Sequence, residues 1–383
     1  MRIIFVQQDT CLYGASRSLL ALIEQLSQRG HSCFVLVPKE DRLTTEFKVR
    51  NIPHSIIPWR GWVAVDHFSQ TRRFLSGAKG VALNLRLLSS AARICQQFKP
   101  DVIHTNSSKT AFGSVLARKL GVPHTWHFRE FLGGECGCGL TLSFGNHLSG
   151  SWLRRSTSMV VFISDTLRQY FKSRLNNVKS QVVYNGVMSI HEMQDLNSFP
   201  LPDPLTLALV GRLDPLKQPL VALKGVEKVL GQGANVQLLI AGGGEYKDVK
   251  RVADYIADHN LASHIKLLGE VRDIRNIYVE SHALVICSKG EAFGRVTAEA
   301  MAYGRLVIGA DAGATSELVK HGCDGLLFRA GDSHDLADKI CYLIENKDLV
   351  GSMGANAAKN AKQKFTTEKY AESMERIFLN AGA

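Results

Sequence analysis

The densest cluster of residues able to do chemistry is Ser288-Lys-Gly-Glu-Ala-Phe-Gly-Arg-Val-Thr-Ala-Glu-Ala-Met-Ala-Tyr-Gly304. It follows an apolar run, turns through Gly294 and enters a helical pattern, so it reads as strand, loop and helix start. Free N–H groups and the positive dipole end at a helix start suit a diphosphate. Gly294, without a Cβ, lets a ligand come close to the backbone. Glu291 stands before this helix and Glu299 a turn or more inside it, so the two can meet different parts of one ligand, such as the hydroxyls of a sugar and of a ribose. A second segment, Val210-Gly-Arg-Leu-Asp-Pro-Leu-Lys-Gln218, also ends a strand. There Arg212 and Lys217 can jointly neutralise a diphosphate, the arginine by a two-pronged contact and the lysine as a point charge. A departing diphosphate gains negative charge in the transition state, and fixed cations beside it supply several kcal/mol, on the order of the ~3–4 of an oxyanion donor. Taken singly, each glutamate also fits an ordinary surface position, and the Arg212 segment a simple turn before a helix.

The elements that must position these residues alternate between short β-branched runs and amphipathic helices, the pattern of parallel sheets covered on both faces. This predicts an α/β protein. Strands are expected at Arg2–Val6, Cys33–Val37, Val102–Thr105, the segment entering Trp126-His127, and Met159–Ile163, with helices at Ser16–Arg29, Lys109–Leu120 and Thr166–Leu175. A second series runs through Leu205–Val210, Val236–Ala241, Ile265–Leu268, Ala283–Cys287, Leu306–Ile308 and Gly325–Phe328. Each series makes one doubly wound domain. Three prolines within residues 200–204 suit an extended connector. The expected division is therefore residues 1–198, residues 199–365, and a C-terminal helix over 366–383 that crosses back to the first domain. Because ligands of open parallel sheets bind beyond the carboxyl ends of the strands, two such domains facing each other across a cleft would both contribute to the site.

Composition narrows the classes. A chain of 383 residues suits two domains, and 45% hydrophobic residues describe a globular protein. No apolar stretch approaches the ~18 residues of a membrane span, and the N-terminal run lacks the cleavage site of a signal peptide. A cytoplasmic protein is expected. Of eight cysteines only Cys136 and Cys138 lie close together, so neither metal nor disulfide is expected. The net charge of +11 is unevenly divided: residues 1–200 hold 24 Lys and Arg against 12 Asp and Glu, while the remainder is net −1. A basic first half can attract nucleic acid, anionic lipid or an anionic substrate, or be an ordinary solvated surface.

On these segments the sequence resembles the retaining, metal-independent glycosyltransferases of the GT-B fold in family 4. The marks are Glu291-Ala-Phe-Gly-Arg-Val-Thr-Ala-Glu299, joined in order by Gly211-Arg-Leu-Asp-Pro-Leu-Lys217. Further agreement comes from Ala241-Gly-Gly-Gly-Glu245, Gly269-Glu-Val-Arg272, Gly313-Ala-Thr-Ser-Glu317 and Phe162-Ile-Ser164 leading to Tyr184-Asn-Gly186. The resemblance implies that Arg212 and Lys217 hold the donor diphosphate, Glu291 the transferred sugar and Glu299 the ribose. It implies backbone contacts from Phe293, Gly294, Arg295 and Val296, and a nucleobase bordered by Val271 or Arg272. In the first domain, Leu12-Tyr-Gly-Ala-Ser-Arg17 resembles the family's G-G-A-E-R segment, with Tyr13 replacing a glycine and Ser16 the acid; Gly14 still permits close approach. The family's histidine near the reacting carbon corresponds to His127, and Arg129 and Glu130 after it are expected to face the acceptor. No cofactor is implied, the nucleotide-sugar being a substrate.

The expected activity is transfer of a hexose-type sugar from a UDP- or GDP-sugar to a glycan or lipid-linked acceptor in surface polysaccharide or glycolipid synthesis. Trp59 and Trp62 beside Arg72, Arg73, Lys79, Arg86 and Arg93 suggest an interfacial segment that docks on anionic membrane, peripheral at its inner face, or equally a core helix with a wet basic face. A sugar-nucleotide epimerase of the same fold is the alternative. A nucleic-acid-binding protein is disfavoured because no recognition motif accompanies the charge, and an oxidoreductase because no G-x-G-x-x-G follows the first strand.

Overall fold

The computed structural model describes residues 1–133, 139–175, 179–195, 204–271 and 273–381. Arg272, Cys136, Cys138 and most of the proline-rich connector lie outside these. The chain forms two compact units, residues 1–186 with 367–383, and residues 187–366.

In the first unit, strands form at β1 (Arg2–Val6), β2 (Ser32–Val37), β3 (His54–Ile56), β4 (Val63–Val65), β5 (Val102–Thr105), β6 (His124–Phe128), β7 (Leu140–Leu142), β8 (Met159–Phe162) and β9 (Ser180–Val182). Seven of them make a parallel sheet in the order β3-β2-β1-β5-β6-β8-β9, while β4 and β7 form a separate antiparallel pair. Alternation along β1 explains why both faces are covered. Ile3 and Phe5 enter one apolar cluster, with the helix Gly14–Gln28, and Ile4 and Val6 the other, with Phe112 and Leu116. From β1 the order runs to β2 on one side and to β5 on the other, so the topological switch point lies between β1 and β5.

The helix Thr367–Ala381 belongs to this unit. Its Tyr370, Ala371, Met374, Ile377 and Phe378 recur at helical spacing and are buried in the cluster that contains Phe5 and Leu19. On its polar face Glu375 accepts from Arg29 at 3.0 Å and bonds His31 at 2.7 Å.

The second unit holds β10 (Leu205–Val210), β11 (Val236–Ala241), β12 (Ile265–Gly269), β13 (Ala283–Ile286), β14 (Leu306–Ala310) and β15 (Gly325–Phe328) in one parallel sheet, ordered β12-β11-β10-β13-β14-β15. Leu205, Leu207 and Leu209 of β10 pack with Leu223, Val226 and Val229 of the helix Pro219–Gly231. The switch point here lies between β10 and β13. At the start of the unit, Val187 N–H donates to Phe365 O at 2.9 Å.

Candidate active site

The two segments singled out by their chemistry meet at the switch point of the second unit. The Arg212 segment leaves β10 and the Glu291 segment leaves β13, which are hydrogen-bonded neighbours. Leu213 N–H donates to Gly243 O at 2.8 Å, and Asp214 Oδ1 accepts from the amides of Leu216 and Lys217, each at 3.1 Å. That turn aims Lys217 at Glu291: Nζ donates to Oε1 at 2.5 Å. The same oxygen accepts from Ser288 Oγ at 2.7 Å. Arg212 lies 3.3 Å from Asp214 through Nε, and with a side chain 57% exposed it keeps most of its guanidinium in solvent, open to an anion.

Glu291 is fixed from behind by its own backbone. Its carbonyl accepts from Ala314 N–H at 2.8 Å, and Gly313 (φ +58°) passes so close that a Cβ there would lie 2.5 Å from the Glu291 nitrogen. Only glycine fits that left-handed, crowded position. Gly294 (φ +83°) is the N-cap of the helix Arg295–Ala302 and brings no capping side chain to its first turn. Such a start offers a donor-rich, positive end to a phosphate.

Glu299 is buried in this helix, with Arg295 Nε 2.7 Å from its Oε1 and Tyr278 Oη donating to Oε2 at 3.3 Å. The Phe293 ring turns inward, edge-on to Phe365 with centroids 5.8 Å apart. Val296 is half-buried, and Val271 is half-buried just beyond β12. Arg212, Lys217, Glu291, Gly294, Arg295 and Glu299 thus surround one loop pair, whereas Val271 follows the edge strand β12. Ser288, Asp214 and Tyr278 are partners that the sequence reading did not single out. Ser288 and Asp214 lie inside the quoted segments, but Tyr278 is 21 residues from Glu299 with no motif to mark it.

In the first unit, His127 is fully buried on β6. Burial, then the neighbouring Arg129 charge, then His104 hold its pKa well below the usual histidine value, so the ring is neutral. Arg129 donates to Nδ1 at 3.2 Å, which leaves the proton on Nε2; that atom is buried, with no hydrogen-bond partner among the described residues. Arg129 itself is buried, its guanidinium bonded to Asn106 (2.7 Å), Asn185 (2.6 Å) and Tyr370 (2.6 Å). Glu130 accepts from Ser107 Oγ at 3.0 Å, from Ser108 N–H at 3.2 Å and from Ser108 Oγ. Gly14 is exposed at the first position of its helix. The tryptophans require a correction. Trp59 stacks on Phe112 (4.9 Å) and Trp62 on Trp126 (5.1 Å), both buried, because their indole N–H groups find partners in Gln8 and in Ser108 O. They are core residues and offer nothing to an interface.

Comparison with known proteins identifies the family and the fold. The Glycosyl transferases group 1 profile matches residues 194–363, and the Glycosyltransferase Family 4 profile residues 13–188. The phosphatidyl-myo-inositol mannosyltransferase of Mycobacterium leprae is 27% identical over 95% of this chain and 92% of its own. The UDP-Gal:alpha-D-GlcNAc-diphosphoundecaprenol alpha-1,3-galactosyltransferase of Escherichia coli is 24% identical over 78% of this chain and 80% of its own. In fold, the chain is similar to Anabaena HepE in complex with UDP, with a TM-score of 0.79, 21% identity, and coverage of 99% of this chain and 100% of that one. Two Rossmann-like units with this switch-point site define a GT-B protein. The chain belongs to the group 1, family 4 glycosyltransferases.

Proposed function

We propose that the protein is a retaining, metal-independent hexosyltransferase that takes a sugar from a UDP-sugar and passes it to a lipid-linked acceptor in surface polysaccharide or glycolipid synthesis. The observation that carries this is the Lys217–Glu291 contact beside the exposed Arg212 and the uncapped helix start at Gly294. Lys217, Arg212 and the helix start would take the diphosphate, which leaves as an anion stabilised by charges already in position. Glu291 would hold the sugar's hydroxyls and Glu299 the ribose; backbone at Phe293, Gly294, Arg295 and Val296 would complete the donor contacts, with Val271 and Arg272 near the base. On the first unit, Gly14 would allow close approach, and the neutral His127, whose Nε2 is buried, would donate to the transferred sugar only once that atom is uncovered. With no side chain assigned as nucleophile, the leaving phosphate takes the acceptor's proton on the face it departs from. The two relatives named above transfer sugars to lipid-bound acceptors by their names, which supports the acceptor class.

The membrane as partner draws support from the helix Gln70–Phe98. It carries five basic residues and no acid, and it exposes Phe74, Leu75, Val81 and Leu85 on its outer side. Among the described residues no helix is long and apolar enough to span a bilayer; the contact proposed is a peripheral one at the cytoplasmic face.

A thermal-shift series with UDP, GDP and ADP tests the donor, and the raised midpoint is expected with UDP alone. Incubation of the matching UDP-hexose with a diphosphate-lipid-linked N-acetylglucosamine should give an α-linked product by NMR. Free sugar and nucleotide released equally with and without that acceptor would overturn the transfer and favour the epimerase reading.

A further inference from the structure

The first unit carries, at its own switch point, an arrangement parallel to that of the second. There, a lysine after one central strand reaches an acid after its neighbour: Lys217 to Glu291 across β10 and β13, 2.5 Å. Here Lys109, after β5, donates to Asp9 Oδ2, after β1, at 2.9 Å. Its Nζ also lies 3.7 Å from Glu130 Oε1, after β6. These strand ends are where open parallel sheets bind ligands.

The three charged groups are not equivalent. Glu130 is committed to Ser107 and Ser108, whereas the Asp9 side chain is 40% exposed against 18% for Lys109 and 15% for Glu130. Burial, and then the Glu130 charge, raise the Asp9 carboxyl, with Lys109 pulling the other way.

The backbone of Asp9 is held by a chain of buried polar side chains. Gln7 Nε2 donates to Asp9 O at 2.6 Å, and Ser16 Oγ donates to it at 3.1 Å. Asn106 Nδ2 donates to Gln7 Oε1 at 2.6 Å, and Arg129 Nε donates to Asn106 Oδ1 at 2.7 Å. Gln7, Ser16 and Asn106 are essentially buried. Polar groups are costly to bury unless they are fully bonded, and this set is arranged so that one exposed carboxylate has a fixed origin and a fixed aim.

A carboxylate so held, with lone pairs beyond its lysine contact, suits vicinal hydroxyls of a sugar ring, each donating to one oxygen. We infer that Asp9 binds the hydroxyls of the acceptor's terminal sugar, with Lys109 as a positioning residue that holds the Asp9 carboxylate at the switch point. Naming the ligand an acceptor rests on the proposed transfer reaction; the sugar site itself does not.

The test is saturation-transfer NMR on the full chain with UDP present, titrating methyl α-glucoside, methyl α-galactoside and methyl N-acetyl-α-glucosaminide. The ring protons of at least one glycoside should saturate with the wild-type protein. Its affinity should fall about tenfold in Asp9→Asn, the loss expected for a hydrogen bond to a charged group. Lys109→Met should fall similarly and Lys109→Arg recover most of it, with thermal midpoints unchanged, a pattern that a purely structural lysine would not give. Wild-type affinity retained in both Asp9→Asn and Lys109→Met overturns the inference, and so does absence of binding by all three glycosides to the wild type. Glycoside binding that depends on Asp9, in a protein that transfers no sugar, would overturn the transfer reading and leave this site standing.

Discussion

Lys217 and Glu291 occupy each other, so in the proposed reaction an entering diphosphate would share the lysine while the glutamate turned to the sugar. Replacing Lys217 by Ala removes a cation from the leaving group and should lower kcat by ~100-fold or more, with the fold intact because the side chain is one-third exposed. Steady-state kinetics on a matched donor and acceptor checks this, and near-normal turnover would remove Lys217 from the site. Gly313 offers a test that touches no ligand. Alanine there would need a left-handed backbone and push its Cβ 2.5 Å from the Glu291 nitrogen, which costs roughly 1–2 kcal/mol for the backbone alone. UDP affinity, read by calorimetry, is expected to fall severalfold along with the thermal midpoint; wild-type affinity would mean that Glu291 does not depend on this support. The candidate site residues of the second unit stood out in the sequence because E-x7-E and the Arg212 segment each fall within one stretch of chain. Asp9 and Lys109 did not, since 100 residues separate them and only the order of strands brings them together. Arg129 was legible as a polar residue after a strand, but not as one turned inward, because its four partners come from β6, two loops and the C-terminal helix.

At the level of elements, the helix Gln70–Phe98 makes its own prediction. Its exposed apolar residues are flanked by Arg72, Lys79 and Arg86, each worth about 1 kcal/mol near an anionic surface. Cosedimentation with phosphatidylglycerol vesicles should exceed that with phosphatidylcholine and weaken as salt rises. The double variant Val81→Asp, Leu85→Asp, at positions already in solvent, should lose at least tenfold of that binding without unfolding. Equal binding to both vesicle types would sink the membrane assignment. In the sequence this segment reads as an interfacial stretch or a core helix with a wet basic face, without fixed bounds, and the short strands β3, β4, β7 and β9 do not show. Central strands such as β1 and β10 read plainly because burial on both faces makes them continuous apolar runs. An edge strand of three residues, His-Ser-Ile at β3, has no such run. The long helix blurs its period because apolar residues stand on its wet side as well as its buried one. The same blurring drew Trp59 and Trp62 into an expected interface, although their stacking on Phe112 and Trp126 puts them in the core.

For the whole molecule, the distribution of histidines sets a pH dependence. His104, His124 and His127 are buried in the first unit and burial lowers all three pKa values, that of His124 to about 3. Unfolding frees these rings to take up protons that the folded chain refuses, so stability is full above about pH 6.5 and declines below it. The loss is about 1 kcal/mol per ring by pH 5.5. All four tryptophans lie in this unit, at 59, 62, 126 and 152, so urea unfolding followed by tryptophan fluorescence reports on it alone. Its midpoint should fall between pH 7.5 and 5.5, and an unchanged midpoint would mean that the three rings titrate normally. One feature of the chain path also orders events in time. The first unit is interrupted by the whole of the second and completed only by Tyr370, Met374 and Phe378. On the ribosome, the segment made first must therefore wait, its sheet short of one covering helix, while residues 187–366 are synthesised and can close their own core. The half of the protein translated first is the half finished last, and until then its uncovered apolar face is open to misassociation and chaperone capture.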